Sequence, residues 1–267
     1  MSTSDNTRPD RFPRRIVSLV PSLTELLASW GLGERLAGRT RYCEEPRELM
    51  SRVETVGGTK NPDVSRIVEL RPDLVVVNRE ENRREDYEVL IAAGLAVHVT
   101  HPRTVAEAAD MFITLGTVVG ASEPAEALAA RARAALAAAG ASRPERPVPT
   151  FCPIWRNPWM TFSERTYIGD MLSVAGLANV FGGDDSPDFF EVDLGEARRR
   201  VPTLVLLPDE PYVFEEKHVR ELTDFGFGGR FELVSGKDLS WYGPRMPDAV
   251  TRLVAFAGKV AASSAVA

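Results

Sequence analysis

The segment Ser122-Glu-Pro-Ala-Glu-Ala-Leu-Ala-Ala-Arg-Ala-Arg-Ala-Ala-Leu-Ala-Ala-Ala-Gly140 decides how the chain is organised. Proline suits the first turn of a helix, where an N–H would have no partner, and alanine has the highest helix propensity. The run predicts one helix over Ser122–Ala139, roughly 27 Å long at about 1.5 Å per residue. Read alone, it also fits a surface helix within one domain. Strand–helix alternation on both sides of it favours a connector between two lobes, an arrangement that holds a ligand in the cleft between them. The expected boundaries are a polar, disordered tail over 1–14, an N-terminal lobe over 15–120, the connecting helix over 121–141 and a C-terminal lobe over 149–267.

The first lobe opens with a strand over Arg15–Val20. Ser22 and Glu25 have the spacing of a capping box, and Gly31 ends the helix they start. Asn61-Pro62-Asp63 starts a second helix that stops at Arg71-Pro72. Leu74–Val77 is apolar on both faces, which predicts a strand buried on both sides. Tyr87–Ala93 reads as helix, Leu95–Thr100 as strand, and Thr104 with Glu107 as a second capping box before a helix to about Val119.

The second lobe repeats this grammar after a proline-rich loop over Gly140–Pro149. Strands are expected at Thr150–Ile154, Thr203–Leu207 and Phe231–Val234. Helices are expected at Tyr167–Ala175, Asp193–Arg200, Glu215–Asp224 and Pro247–Val260. Helix, proline, strand recurs as Ile67…Pro72…Leu74–Val77 and Ala197…Pro202…Thr203–Leu207, a faint internal repeat. Short connections between alternating strands and helices argue for parallel sheets covered by helices. The expected fold class is α/β: two Rossmann-like lobes with parallel sheets, joined by a single long connecting helix.

Composition narrows the function. The 267 residues are 44% hydrophobic and 26% charged, with a net charge of −6. That balance argues against a protein built to grip nucleic-acid phosphates. No apolar run approaches the roughly 18 residues of a membrane span. The first fifteen residues hold neither the apolar run of a secretory signal nor a cysteine for a lipid, so the expectation is a cytoplasmic protein as written, or a periplasmic or cell-surface one if translation starts upstream. Cys43 and Cys152 form no paired motif and read as reduced, buried thiols.

Ligands of α/β proteins bind beyond the carboxyl ends of the strands. The segments just after strands are Pro21-Ser22, Asn78-Arg-Glu-Glu-Asn-Arg-Arg84, Trp155-Arg-Asn-Pro-Trp-Met-Thr161 and Pro208-Asp-Glu-Pro-Tyr212, with Arg41-Tyr-Cys-Glu-Glu45 further on in the first lobe and Ser240-Trp-Tyr-Gly-Pro-Arg245 late in the chain. Three of the four tryptophans fall in them, interleaved with arginine and tyrosine. Flat, stiff aromatic area suits a large, partly apolar ligand, and arginine adds a planar donor fork. The bland alternative is packing of loop bases. His98, His101 and His218 are too scattered for a metal site, and no phosphate loop, dinucleotide fingerprint or zinc-protease motif is present.

Arg15-Ile-Val-Ser-Leu-Val-Pro-Ser-Leu-Thr-Glu25, Arg41-Tyr42, Arg66-Ile-Val-Glu-Leu-Arg-Pro-Asp-Leu74, Arg156–Thr161 and Ser240–Arg245 together resemble the helical-backbone (class III) periplasmic-type substrate-binding proteins. These are the cobalamin- and iron-siderophore-binding components of ABC importers. The resemblance spans about residues 14–260, and the cobalamin-binding branch is most similar. It implies a rigid connecting helix, limited hinge motion and a metal chelate held between lobes. Tyr42 matches an aromatic that contacts the corrin, Phe189 falls near another cleft aromatic, and Arg245 matches the arginine of a Pro-Arg pair. Trp155, Arg156, Trp159, Trp241 and Tyr242 belong to the flanking motifs. Thr59 and Asn78 stand where cobalamin binders carry tryptophans. The expected ligand-binding set is thus Tyr42, Asn78, Trp155, Arg156, Trp159, Phe189, Trp241, Tyr242 and Arg245, with no catalytic residue and no protein metal ligand.

The resemblance also implies docking on a permease through one surface glutamate per lobe. Ser65 and Gly195 stand at those places, with Asp63 and Glu196 close by. The function expected is non-catalytic binding of a corrinoid, cobalamin-like, or of another metal chelate, by a cytoplasmic relative that needs no cofactor. The rivals are an extracytoplasmic importer component with a misassigned start, a cytoplasmic enzyme using an acid such as Glu80 or Asp209, and a scaffold with a degenerate cleft.

Overall fold

The computed structural model describes residues 12–183 and 185–264. The expected tail therefore falls, over residues 1–11, outside the described residues, as do the last three residues of the expected C-terminal lobe. The chain divides into two compact units, one of Met1–His101 and Met111–Ala127, the other of Pro102–Asp110 and Leu128–Ala267.

The first unit carries a four-stranded parallel sheet in the order β2-β1-β3-β4, with β1 Ile16–Ser18, β2 Leu36–Arg39, β3 Leu74–Asn78 and β4 Val97–Thr100. Alternation along the strands sends Val17, Leu19, Val75 and Val77 to one face. There they join Ile67 of α3 (Val64–Glu69) and Leu90 of α4 (Arg84–Ala92) in one buried cluster. α1 (Pro21–Ser29) follows β1 and α2 (Arg47–Met50) follows β2. Ser22 does not cap α1. The helix begins at Pro21 after Val20, two residues earlier than a Ser22 cap would set it, so Ser22 lies inside its first turn with a buried hydroxyl that has no hydrogen-bond partner. Proline's preference for the first helical position outweighs the serine–glutamate spacing.

The helices α5 (Val105–Val119) and α6 (Ser122–Ser142) follow, each with residues in both units. The Thr104 hydroxyl accepts the Glu107 N–H at 3.0 Å as expected, but the Glu107 carboxylate reaches back to the N–H of Arg103 at 2.7 Å instead of that of Thr104. α6 runs three residues beyond its expected end, through Gly140, because nothing in Ala141-Ser142 breaks the turn.

The second unit repeats the first sheet. β5 (Val148–Phe151), β7 (Leu177–Asn179), β9 (Leu204–Pro208) and β10 (Arg230–Val234) pair in parallel in the order β10-β9-β5-β7, with the same neighbour relations as β4-β3-β1-β2. Phe151, Val205 and Leu207 face Ala197 of α8 (Leu194–Arg199) and Leu222 of α9 (Glu216–Asp224). A two-stranded antiparallel ribbon, β6 (Met160–Phe162) with β8 (Phe189–Glu191), is added beside it. α7 (Tyr167–Ala175) is capped by Thr166, which accepts the Gly169 N–H, and stops at Gly176 with φ 83°. α10 (Gly236–Ser240) and α11 (Met246–Ser264) close the chain.

The faint repeat is strong in three dimensions. At a constant offset of 130 residues, Asp63 and Asp193 cap α3 and α8 by accepting the N–H of Arg66 and Glu196. Each helix then ends in a left-handed residue, Arg71 (φ 46°) or Val201 (φ 51°), before Pro72 or Pro202 and the buried strand. β2, α2, β6, β7, β8 and α10 were not expected from the sequence. They are three to five residues long, too short to display a period of their own.

Candidate functional site

In the second unit, the loops leaving the carboxyl ends of the neighbouring strands β5 and β9 meet in an aromatic wall. The β5 loop turns back at Arg156–Trp159, closed by the Met160 N–H donating to the Trp155 carbonyl and the Ile154 N–H donating to the Met160 carbonyl. Trp155, 42% exposed, stands edge-on to Tyr212 at 5.6 Å. Tyr212 leans on Phe214 at 4.8 Å, and Phe214 stacks on Trp159 at 5.8 Å and 14°. Arg156 is held in a fork by Glu221 of α9 through Nε and Nη2, both at 2.8 Å, and its guanidinium lies 5.9 Å from the centre of the Trp159 ring.

His218 anchors the wall from behind. It is 2% exposed, its Nδ1 accepts the Glu215 N–H at 2.8 Å, and its Nε2 lies 3.3 Å from the Tyr212 hydroxyl. Burial, with Lys217 and Arg156 nearby, lowers its basicity below that of an ordinary histidine. The accepted bond at Nδ1 requires the neutral ring. Tyr212, Phe214, His218 and Glu221 were not singled out from the sequence as binding groups. The one available signal was the position of Tyr212 just beyond the strand.

A second cluster surrounds Trp241, which is only 8% exposed. Lys237 and Arg245 lie over its ring at 4.7 and 5.5 Å. Its indole N–H meets the carboxyl of Glu210, whose pKa is raised by burial against the opposing pull of Lys237, this bond and Arg245. Asp209 accepts the Gly236 N–H at 2.7 Å, which fixes the start of α10. Tyr242 is buried edge-on to Tyr167 at 5.3 Å. Phe189, 37% exposed, lies at the end of the β6–β8 ribbon.

In the first unit, Tyr42 lies just beyond β2 and is 57% exposed. Asn78, at the end of β3, is buried with all its polar groups engaged. Its Nδ2 donates to the carbonyl and hydroxyl of Thr100 at 3.1 and 3.2 Å, and its Oδ1 accepts the N–H of Glu80 and Glu81. Asn82, absent from the expected set, accepts the Asn78 N–H and donates to the carbonyls of Leu19 and Thr59. These two asparagines shape the loop beyond β3 and leave little of themselves for a ligand. Glu80 lies 3.4 Å from His101 Nε2. The Cys43 thiol is buried against the hydroxyls of Thr24 and Thr40, and burial raises its pKa, as it does that of Cys152. Both cysteines are free.

Among the described residues, no group of three or more His, Cys, Asp or Glu side chains could hold a metal ion, and no helix is long and apolar enough to cross a membrane. Ser65 is exposed in the first turn of α3, and Gly195 takes the equivalent place in α8.

The sequence profile of the family described as periplasmic binding protein matches residues 16–210. The chain belongs to that family. A vitamin B12-binding protein of Photorhabdus laumondii is 27% identical over 196 residues, covering 73% of this chain and 70% of the relative. A vitamin B12-binding protein of Yersinia pestis is also 27% identical, over 205 residues, 75% of this chain and 71% of the relative. Among solved structures, the periplasmic vitamin B12-binding protein of Vibrio cholerae superposes with a TM-score of 0.77 at 19% identity, over 93% of this chain and 98% of that one. The periplasmic heme-binding protein of Roseiflexus sp. RS-1 superposes with a TM-score of 0.81 at 22% identity, over 93% and 99%. At those identities the structural likeness establishes the periplasmic binding protein fold.

Proposed function

We propose that this periplasmic binding protein homologue binds a corrinoid or another tetrapyrrole-class metal chelate and releases it unchanged. The observation that carries the reading is the wall of Trp155, Tyr212, Phe214 and Trp159 beyond β5 and β9. Its exposed edge offers flat apolar area beside a guanidinium, the chemistry suited to a broad ring with polar rim groups. Phe189 and Arg245 of the same unit supply further aromatic and cationic contact. The ligand brings its own metal, so no protein metal ligand is required. The names of the relatives, vitamin B12-binding and heme-binding, agree with this ligand class.

The acids within these loops have structural partners, Asp209 with Gly236 and Glu210 with Trp241, which favours binding over catalysis. Ser65 and Gly195 supply no docking charge, so the proposal includes a carrier that does not deliver to a permease. Residence in the cytoplasm goes with that role, and fractionation of cells expressing the natural gene tests it. Recovery outside the cytoplasm would contradict that part.

Tryptophan quenching on titration with aquocobalamin, cobinamide and ferric protoporphyrin tests the binding. Saturable binding to at least one, with the ligand recovered chemically intact, is expected. A ligand altered after incubation would favour the enzyme reading, and no saturation with any would remove the chelate.

A further inference from the structure

We propose that the pocket at the carboxyl end of β2 is an anion site that receives a carboxylate or phosphate arm of the bound chelate. The link to a chelate rests on the reading proposed above; the anion site itself rests on this pocket. The pocket has a volume of about 330 Å³ and is lined by Arg39, Arg41, Glu44, Arg47, Met50 and Ser51. Three arginines and one glutamate thus line this open depression, in a chain with a net charge of −6.

Arg39, the last residue of β2, is half-buried and pinned. Its Nε and Nη2 donate to the Met50 carbonyl at 3.2 and 2.9 Å, and its Nη1 donates to the Thr40 carbonyl at 3.1 Å. All these partners are neutral, so its charge is positioned but not compensated. Arg41 and Arg47 are exposed and form no ion pair among the described residues. Elsewhere this chain pairs its arginines with acids, as in Arg66 with Glu54, Arg83 with Asp86, Arg156 with Glu221 and Arg252 with Asp238. A concave group of three arginines without that neutralisation is a place where an outside anion gains several charge-assisted hydrogen bonds. The planar guanidinium fork matches two-oxygen acceptors best.

An aromatic surface adjoins the pocket within the same unit. Tyr42 follows Arg41 directly, and both side chains rest on the loop at Gly58, where an added Cβ would lie 3.4 Å from Tyr42 Cε2 and 3.6 Å from Arg41 Nε. A ring against Tyr42 would carry its rim groups within reach of the guanidinium groups. The chelate selected is therefore one with acidic arms, in preference to one whose rim carries only neutral amides or esters.

The test compares ferric protoporphyrin, with two free carboxylates, and its neutral dimethyl ester, at low and high salt. Citrate serves as a free anion in thermal unfolding. The variants are Arg41→Gln with Arg47→Gln, both exposed, with Arg131→Gln as a surface control. The expected result is about tenfold tighter binding of the free acid than of the ester, a preference reduced by salt. The double variant should lose that preference without weakening the ester, and should lose the stabilisation by citrate. Equal binding of acid and ester in the wild type, unchanged in the double variant, overturns the anion site and leaves chelate binding intact. If neither porphyrin binds but citrate stabilises in an arginine-dependent way, the anion site stands and the chelate reading falls. Inert citrate together with no porphyrin binding overturns both.

Discussion

Acidification should loosen the second unit through one residue, His218. Its Nδ1 accepts the Glu215 N–H, and a protonated ring has no lone pair for that bond. Lys217 and Arg156 oppose its protonation, Glu215 and Glu221 favour it, and burial is the largest influence, with the net effect of lowering its pKa. Folded His218 therefore holds its proton less readily than the unfolded chain. Its contribution to stability is fully present above the ordinary histidine value of 6.5 and is lost as pH falls below it. Between pH 7.5 and 5, linkage from that value limits the loss to about 2 kcal/mol. Breaking a buried hydrogen bond costs a comparable amount, about 1–3 kcal/mol. A loss of about 2 kcal/mol corresponds to a fall in Tm of roughly 4–8 °C at this chain length. The assay is thermal unfolding of the wild type and His218→Gln at pH 7.5, 6.5 and 5. Glutamine keeps a carbonyl acceptor for Glu215 but does not titrate. The other titrating groups are common to both proteins, so the difference between their pH responses isolates His218. The variant should start lower and fall less. Parallel curves would refute the role assigned to this ring.

Trp155→Ala should weaken chelate binding with a smaller change in Tm, because Trp155 is 42% exposed against 8% for Trp241, whereas Trp241→Ala should destabilise the chain by about 3–5 kcal/mol in denaturant melts. Sequence reasoning places Trp241 in the binding set, and its burial adds a structural role that the sequence does not display. Asp63→Ala and Asp193→Ala should each cost about 1 kcal/mol, since each removes the same cap at equivalent places. A loss at one and not the other would break the equivalence of the two units. Val201→Asn should raise stability by about 1 kcal/mol in urea, because valine is held at φ 51° with an exposed side chain and asparagine tolerates that region better.

What was legible in the sequence follows from which forces are local. The continuous apolar runs of β3 and β9 have no alternative to burial, and α7 carries both its threonine cap and its stopping glycine, so its bounds came out as expected. β2 reads Leu-Ala-Gly-Arg and becomes a strand through pairing with β1, a contact that local propensity does not encode. The site shows the same division. Trp155 and Trp159 were found because they follow a strand. The wall they form also needs Tyr212, Phe214, His218 and Glu221, brought in by the adjacent parallel strand β9. Asn78 was singled out for its position beyond a strand. Its hydrogen bonds, invisible in a sequence, engage it in the loop. Arg41 lay in a candidate segment, but the arginine pocket went unread because Arg39 and Arg47, which complete it, belong to an unexpected strand and a four-residue helix.

The most direct test of the account is thermal unfolding of the purified chain against cobalamins, cobinamide, ferric protoporphyrin and ferric siderophores. A ligand at 100 times its dissociation constant should add about 2.7 kcal/mol of stability. The account predicts a clear, saturable rise in Tm with at least one tetrapyrrole chelate, diminished in Trp155→Ala. No rise with any member of the panel, at concentrations that saturate known chelate binders, would contradict it.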